Sequence, residues 1–312
     1  MRRRILILTI SCLVVVLLYL SHLIFVQYSR QQSVNAQPAT QSTVKIFMTF
    51  YKPYRLPKRG VVLQPIQVGR AIENEPFMGG QLSDKDKEWF HQNMIGDDTG
   101  DNISAKNRSF DVLTAYYWVW KHYEEIGNPK YIGFFAHKKG LNFDFKPYVQ
   151  YNAYAPDYGI VEKDLLEILE KHKVITMAWT PYIYKDGKKF LTSAYENYLD
   201  YHNIDDLKEM IQVIEEKYPA MNKAMNEVLY EIKPLPIWNY FVMEKALAFD
   251  YFEKLFDVMF ELDKRIGEAV NQRDYSQRRA FGYLAERFFA MWLTWQQEQG
   301  KVQPYLTNEI YY

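Results

Sequence analysis

Residues 44–51, VKIFMTFY, form a short apolar, β-favouring run that ends just before Pro53. Similar runs return in KYIGFFAHKKGLNF (130–143), KHKVITMAWTPYIY (171–184) and PIWNYFVM (236–243). Between them lie stretches with helical spacing. Residues 109–124 place Phe110, Leu113, Tyr117 and Trp120 on one helical face, and 162–171, 205–217, 220–231, 244–266 and 274–298 also read as helices. Strands alternating with helices restrict the chain to an α/β domain with a parallel or mixed sheet. With 312 residues there is material for one large domain or two small ones. Ser104 and Ser109 are the candidate caps ahead of the helix within 109–124.

The N-terminus obeys a different rule. No charge falls between Arg4 and Arg30, and a helix over residues 5–27 would reach roughly 35 Å, enough for a ~30 Å hydrocarbon core. The apolar stretch is longer than that of a cleaved signal peptide, which predicts an uncleaved signal-anchor. Three arginines precede it, so the positive-inside rule puts residues 1–4 in the cytoplasm and the rest across the membrane. In a eukaryote that is the Golgi lumen; a bacterial inner membrane is the alternative. Residues 28–43 are polar and aperiodic, as a flexible stem is. The division expected is therefore a basic tail (1–4), a transmembrane anchor (5–27), a stem (28–43), a folded domain (44–299) and a C-terminal tail (300–312).

Charge excludes one class of partner. Lys plus Arg and Asp plus Glu both number 38, and without the four N-terminal arginines the balance is −4, so no nucleic-acid partner is expected. Cys12 is the sole cysteine, which rules out an intrachain disulfide and a cysteine metal site. Aromatic residues make up 17% of the chain; they suit a core, and Tyr and Trp also suit the faces of sugar rings.

Four clusters carry possible chemistry. IGDDTGDNISAKN (95–107) offers Asp97, Asp98 and Asp101 as oxygen ligands for a divalent cation or as a general base, and it equally reads as an Asx-rich turn ahead of a helix. HKKG (137–140) ends a predicted strand, where open α/β sheets receive ligands; His137, Lys138 and Lys139 there are either an anion site or a solvated turn. Asn239, in an apolar run beside Trp238, needs partners for its amide. Glu286 and Arg287 are charges in an apolar helix, either a buried ion pair or an active-site carboxylate with its neighbour. His202 is a lone histidine of the kind that is more often structural than catalytic.

The ordered blocks YKP (51–53), PIQVGRA (65–71), IGDDTGDNISAKN, LTAYYWVWK (113–121), YIGFFAHKK (131–139), NYFVM (239–243), LFDVMFELDKRI (255–266) and FGYLAERFF (281–289) resemble a known family. It is the bacterial capsular-polysaccharide family long described as a domain of unknown function and grouped with glycosyltransferases, β-1,3-galactofuranosyltransferases among them. The resemblance runs from about Val44 to Leu293. It implies a GT-A-like, Rossmann-like mixed sheet flanked by helices, with a helical C-terminal part. It also implies transfer of a hexose, with galactofuranose the candidate, from a UDP-linked nucleotide-sugar donor to a glycan or polysaccharide acceptor.

On that resemblance Asp98 and Asp101, then Asp97 and Glu286, are the candidate catalytic carboxylates. Lys52, Gln67, Asn102, Lys106, Asn107, His137, Lys138 and Lys139 are the candidate donor contacts, and Asn239, His202 and Trp238 the acceptor contacts. GT-A enzymes commonly carry an Asp-x-Asp metal motif where this chain has His137-Lys138-Lys139. That departure implies cationic side chains on the diphosphate with no metal ligands or cofactor, a divalent ion such as Mn2+ staying open. The family's usual His-Tyr-Arg-Arg is also altered here, and lysine lacks arginine's bidentate geometry. The rivals from other classes are a glycoside hydrolase with a carboxylate pair and a non-catalytic, membrane-tethered glycan-binding protein.

Overall fold

The computed structural model describes residues 42–56, 62–77, 80–143 and 160–311. The expected tail, anchor and most of the stem lie outside the described residues, among which no helix is long and apolar enough to cross a membrane. Two strands at the start set the frame: β1 (Val44–Phe50) and β2 (Leu63–Gln67), which pair in parallel. β1 is buried on both faces by period-two alternation. Val44, Ile46, Met48 and Phe50 enter one core and Phe47 the other, as a central strand of a covered sheet requires.

The chain continues through α1 (Asp84–Asn93), β3 (Ile95–Gly96), α2 (Asn107–Phe110), α3 (Leu113–Lys121), β4 (Tyr131–Ala136) and β5 (Lys139–Leu141). After α4 (Glu162–His172) and β6 (Val174–Thr176) comes a hairpin outside the main sheet, β7 (Tyr182–Lys185) and β8 (Lys188–Leu191). Then follow α5 (Ala194–Tyr201), α6 (Ile204–Lys217), α7 (Asn222–Tyr230), β9 (Phe241–Glu244), α8 (Lys245–Asn271), α9 (Tyr275–Arg278), α10 (Ala280–Glu298), β10 (Tyr305–Leu306) and β11 (Glu309–Tyr311).

The main sheet runs β10-β6-β9-β4-β1-β2-β3, with β5 against β4 and β11 against β5. β4, β1, β2 and β3 are parallel and β9 is antiparallel to β4 and β6, so the sheet is mixed. One face is covered by α3, α6, α7, α8 and α10; on the other, Phe90 of α1 and Leu165 and Leu169 of α4 pack against β1 and β4. The α/β expectation holds, and the helical C-terminal part is the thicker layer.

Three details differ from the sequence expectation. The helix expected over 109–124 is broken: α2 stops at Phe110 and α3 starts at Leu113, with Asp111 between them at φ 53°. The Asn107 side chain donates to the Asp111 carbonyl at 2.7 Å, closing α2 before a hydrophobic face could carry the helix through. PIWNYFVM is a strand only from Phe241, so Trp238 and Asn239 stand in the loop before it. Residues 300–312, expected as a tail, supply β10 and β11 to the main sheet. A short polar-flanked run such as YLTNEIYY lacks the length by which strands are recognised.

Candidate active site

The turn after β2 is built around a carboxylate. Gly69 adopts φ 66°, and a Cβ there would stand 2.7 Å from Asn107 Oδ1, so glycine is required. This turn aims the Gly69 and Arg70 amides at Asp97, which accepts them at 2.9 and 3.1 Å and takes the Ser104 hydroxyl at 2.5 Å. Burial pushes the Asp97 carboxyl up, against the pull of these bonds and of Thr114. Asp97 is fully buried and committed to joining β2 to β3, which leaves it no reach toward a substrate. Ser104 caps no helix; it bridges Asp97 and the Ala71 amide.

The rest of the acidic motif is strapped along α3. Asn102 donates to the Asp98 and Gly100 carbonyls and accepts the Ser104 amide. Thr99 takes the Trp118 indole N–H at 3.0 Å, and Asp101 takes the Tyr117 hydroxyl at 3.0 Å. Burial and Asp101 together push the Tyr117 phenol up to about 12. Asp98 stands beside Arg70, whose guanidinium donates to Gln67 and to the Met94 carbonyl. Lys106 is paired with Asp263 of α8 at 2.7 Å. Asp98, Asp101, Asn102 and Lys106 therefore do not meet the cleft described next; they shape the loop that borders it.

That cleft opens at the carboxyl ends of β1 and β2. Tyr51, Gln67, Asn107, Arg108, Asp111 and Arg279 are among its walls. Of the predicted residues, Gln67 and Asn107 line it. Gln67 is buried between Arg70 and Glu73, and Asn107 holds Asp111 and Thr114. Asp111 and Arg279, which pair across from α2 to the start of α10, were not singled out from the sequence. An aspartate in SFDVLTAYY, polar inside a strongly apolar run, was the available signal.

Glu286, on α10, does not line this cleft; it lies within electrostatic reach of Asp111 and Arg279, which do. Its carboxylate pairs with Arg287 at 2.7 Å and feels the charges of Asp111, Arg279 and Lys139. Burial pushes it up to about 7, with Asp111 adding and the cations opposing. The side chain is 23% exposed, so the surrounding core lifts the carboxyl without sealing it from water. Asn239 joins from the loop before β9: its amide points to the Gly282 carbonyl at 3.5 Å, and Gly282 lies against Asp111. Asn239 Oδ1 is buried without a hydrogen-bond partner among the described residues.

At the end of β4, His137 is wedged among Phe50, Tyr51 and Tyr54, with Nδ1 3.3 Å from the Thr49 carbonyl oxygen. Burial, with Lys138 and Lys52 nearby, pushes it down to about 4, so it is neutral at pH 7 and contributes no charge to an anion site. The charge comes from Lys52 and Lys138, which lie over Tyr51 and Tyr54; neither is ion-paired among the described residues. Lys139 is paired with Glu309 and lies 4.3 Å over Trp238. His202 stacks on Tyr283 at 4.0 Å and is pushed down to about 3 by burial and by Arg287 and Arg279, a packed neutral ring. Among the described residues no group of three or more His, Cys, Asp or Glu is arranged to hold a metal.

A mixed sheet with a polar cleft beyond its parallel strand ends is a ligand-binding α/β architecture. The chain belongs to the family described as a domain of unknown function, DUF4422, which matches residues 45–298. This is the family that the ordered sequence blocks resemble. No curated protein matches the chain. Among solved structures it is similar to the WbbM bifunctional glycosyltransferase in its apo form, at 26% identity and a TM-score of 0.70. The likeness covers 86% of this chain and 45% of that one, so the chain spans less than half of its neighbour's length.

Proposed function

We propose that the protein is a glycosyltransferase of GT-A-like fold that moves a hexose, with galactofuranose the first candidate, from a UDP-linked donor to a glycan acceptor. The observation that carries this is the cluster of two ion pairs, Glu286 with Arg287 and Asp111 with Arg279, in which burial holds the Glu286 carboxyl up at about 7. A base poised near neutral pH is what deprotonating a sugar hydroxyl requires. The likeness to a glycosyltransferase supports the same reading.

In this mechanism Glu286 accepts the proton of the acceptor hydroxyl. The acceptor oxygen forms its bond to the anomeric carbon as the bond from that carbon to the diphosphate oxygen breaks. The electron pair leaves with the diphosphate, whose charge Lys52 and Lys138 offset. Asp111 and Arg279 orient the sugar through paired hydrogen bonds, and Asn239 Oδ1 takes a hydroxyl donor from the acceptor. The lysine pair makes the diphosphate contact independent of a metal. The apolar run at 5–27 would tether this domain to a lipid bilayer.

The test is a panel of nucleotide sugars with and without chelator, paired with thermal shift by UDP. Stabilisation by UDP and chelator-resistant turnover are expected. No shift with UDP together with cleavage of glycosides would replace the transferase by a hydrolase, and a strict Mn2+ requirement would overturn the lysine clamp.

A further inference from the structure

Five aromatic rings follow one another outside the cleft, Tyr240 and Trp238 near-parallel at 13° and the other three pairs edge to face at 65°, 66° and 84°. Tyr240 neighbours Trp238 at 6.2 Å, Trp238 neighbours Trp179 at 6.0 Å, Trp179 neighbours Tyr182 at 5.0 Å, and Tyr182 neighbours Tyr184 at 5.4 Å. The first four are half-buried, and Tyr184, on the β7–β8 hairpin, is 56% exposed. Two lysines lie over the row, Lys139 on Trp238 and Lys189 on Tyr182 at 3.9 Å.

The row is fixed to the cleft. A two-stranded hairpin is marginal by itself and needs seating. Trp179 and Leu235 exchange backbone hydrogen bonds at 2.9 and 3.0 Å, tying the chain ahead of β7 to the loop that carries Trp238. The Tyr182 carbonyl accepts from Asn197 at 2.8 Å, Asn197 accepts from Arg287 at 2.9 Å, and Arg287 pairs with Glu286. A continuous chain of hydrogen bonds thus joins the hairpin to the carboxylate. The Lys139 charge reaches Glu286 and Tyr182 alike.

We propose that this row is a binding strip for an extended glycan, taking successive sugar units of the acceptor. This deepens the transferase reading and rests on it for taking the glycan as the acceptor. Ring centroids stand 5.0 to 6.2 Å apart, on the scale of a single sugar unit. Tyr and Trp offer an apolar face for the sugar and a polar edge for its hydroxyls. The Trp238 indole N–H is buried without a hydrogen-bond partner among the described residues, a donor ready for a hydroxyl. A lipid surface fits less well. Cross-strand register puts Phe190 opposite Ile183, whereas Tyr182 and Tyr184 stand opposite Leu191 and Lys189, so the exposed apolar residues are divided between two faces of the hairpin.

The test is binding of galactose-, glucose- and mannose-based oligosaccharides, one to four units long, to the full chain in detergent by calorimetry. For at least one series, affinity is expected to rise about three- to tenfold with each added unit, the range one stacking contact supplies. Tyr182→Ala and Tyr184→Ala are expected to flatten that ladder while leaving the UDP thermal shift intact; Tyr184→Phe, which keeps the ring, should restore it. A flat ladder in the wild type for all three series, or a ladder unchanged in both Ala variants, would overturn the strip. So would co-sedimentation with anionic phosphatidylglycerol vesicles that is lost in the Ala variants while the ladder persists. Loss of the UDP shift with the ladder intact would sink the transferase reading and leave the strip standing.

Discussion

At the scale of single residues, one carboxylate is tuned and another is consumed. Glu286 is raised from 4.5 to about 7, mainly by burial. A raised carboxyl contributes stability that is fully present below its unfolded value and is lost as pH rises through about 7. Glu286→Gln imitates the protonated form. At about 1.4 kcal/mol per unit, the variant should therefore be more stable than wild type at pH 8 by at most about 3.5 kcal/mol, and equal to it below pH ~4.5. Thermal melts across that range check this. The base form is the active one, so wild-type transfer should fall as pH drops below about 7, and Glu286→Gln should lose about 10²- to 10⁴-fold in kcat. Asp97 has the opposite character, since its carboxylate is spent on two backbone amides and a hydroxyl. Asp97→Ala leaves those donors unpaired in the core and should cost about 2–4 kcal/mol, read as a drop in melting temperature with the soluble yield. The sequence made Glu286 visible, as a charge among apolar residues. It could not rank Glu286 above Asp97, because spacing gives no account of which backbone amides a carboxylate will meet.

At the scale of elements, the break between α2 and α3 is what brings Asp111 to the cleft. Its backbone, at φ 53° and ψ −132°, is one that non-glycine residues rarely adopt, at a cost of order 1–3 kcal/mol. Asn107 holds its carbonyl and Arg279 its carboxylate. Asp111→Gly should relieve the backbone while removing the ion pair, giving a protein that melts within about 2 kcal/mol of wild type and transfers at least about tenfold more slowly. Equal transfer rates would remove Asp111 from the site. Helical spacing over 109–124 was legible in Phe110, Leu113, Tyr117 and Trp120, and all four do face one core. The interruption was not, since spacing does not show that the Asn107 side chain will hold the Asp111 carbonyl, and the arginine that holds the Asp111 carboxylate is 168 positions away. The same limit applies to Arg279. By contrast, β1 and β4 were legible as buried strands because central parallel strands carry apolar residues on both faces.

At the scale of the whole molecule, β10 and β11 complete the side of the main sheet that lies beyond β4. β10 lies along β6, and the Thr307 amide donates to the Thr176 carbonyl at 2.8 Å. β11 lies along β5, the Asn142 amide donates to the Asn308 carbonyl at 2.8 Å, and Glu309 holds Lys139 at 3.0 Å. Lys139 in turn covers Trp238. Ending the chain at residue 299 would expose the β6 edge, leave β5 paired with β4 alone and release Lys139 together. With several backbone bonds lost at about 1 kcal/mol each, a loss of roughly 3–5 kcal/mol is expected, seen as a lower urea midpoint. Glu309→Gln separates the two effects. It keeps both strands, so the midpoint should stay within about 1 kcal/mol, since a partly exposed ion pair contributes little. Its Lys139 is no longer anchored, so the affinity for long acceptors should fall while UDP binding is unchanged. A truncated chain with a wild-type midpoint would show that the sheet is complete without its last two strands. A Glu309→Gln protein with wild-type affinity for long acceptors would show that Lys139 needs no anchor to serve the acceptor side.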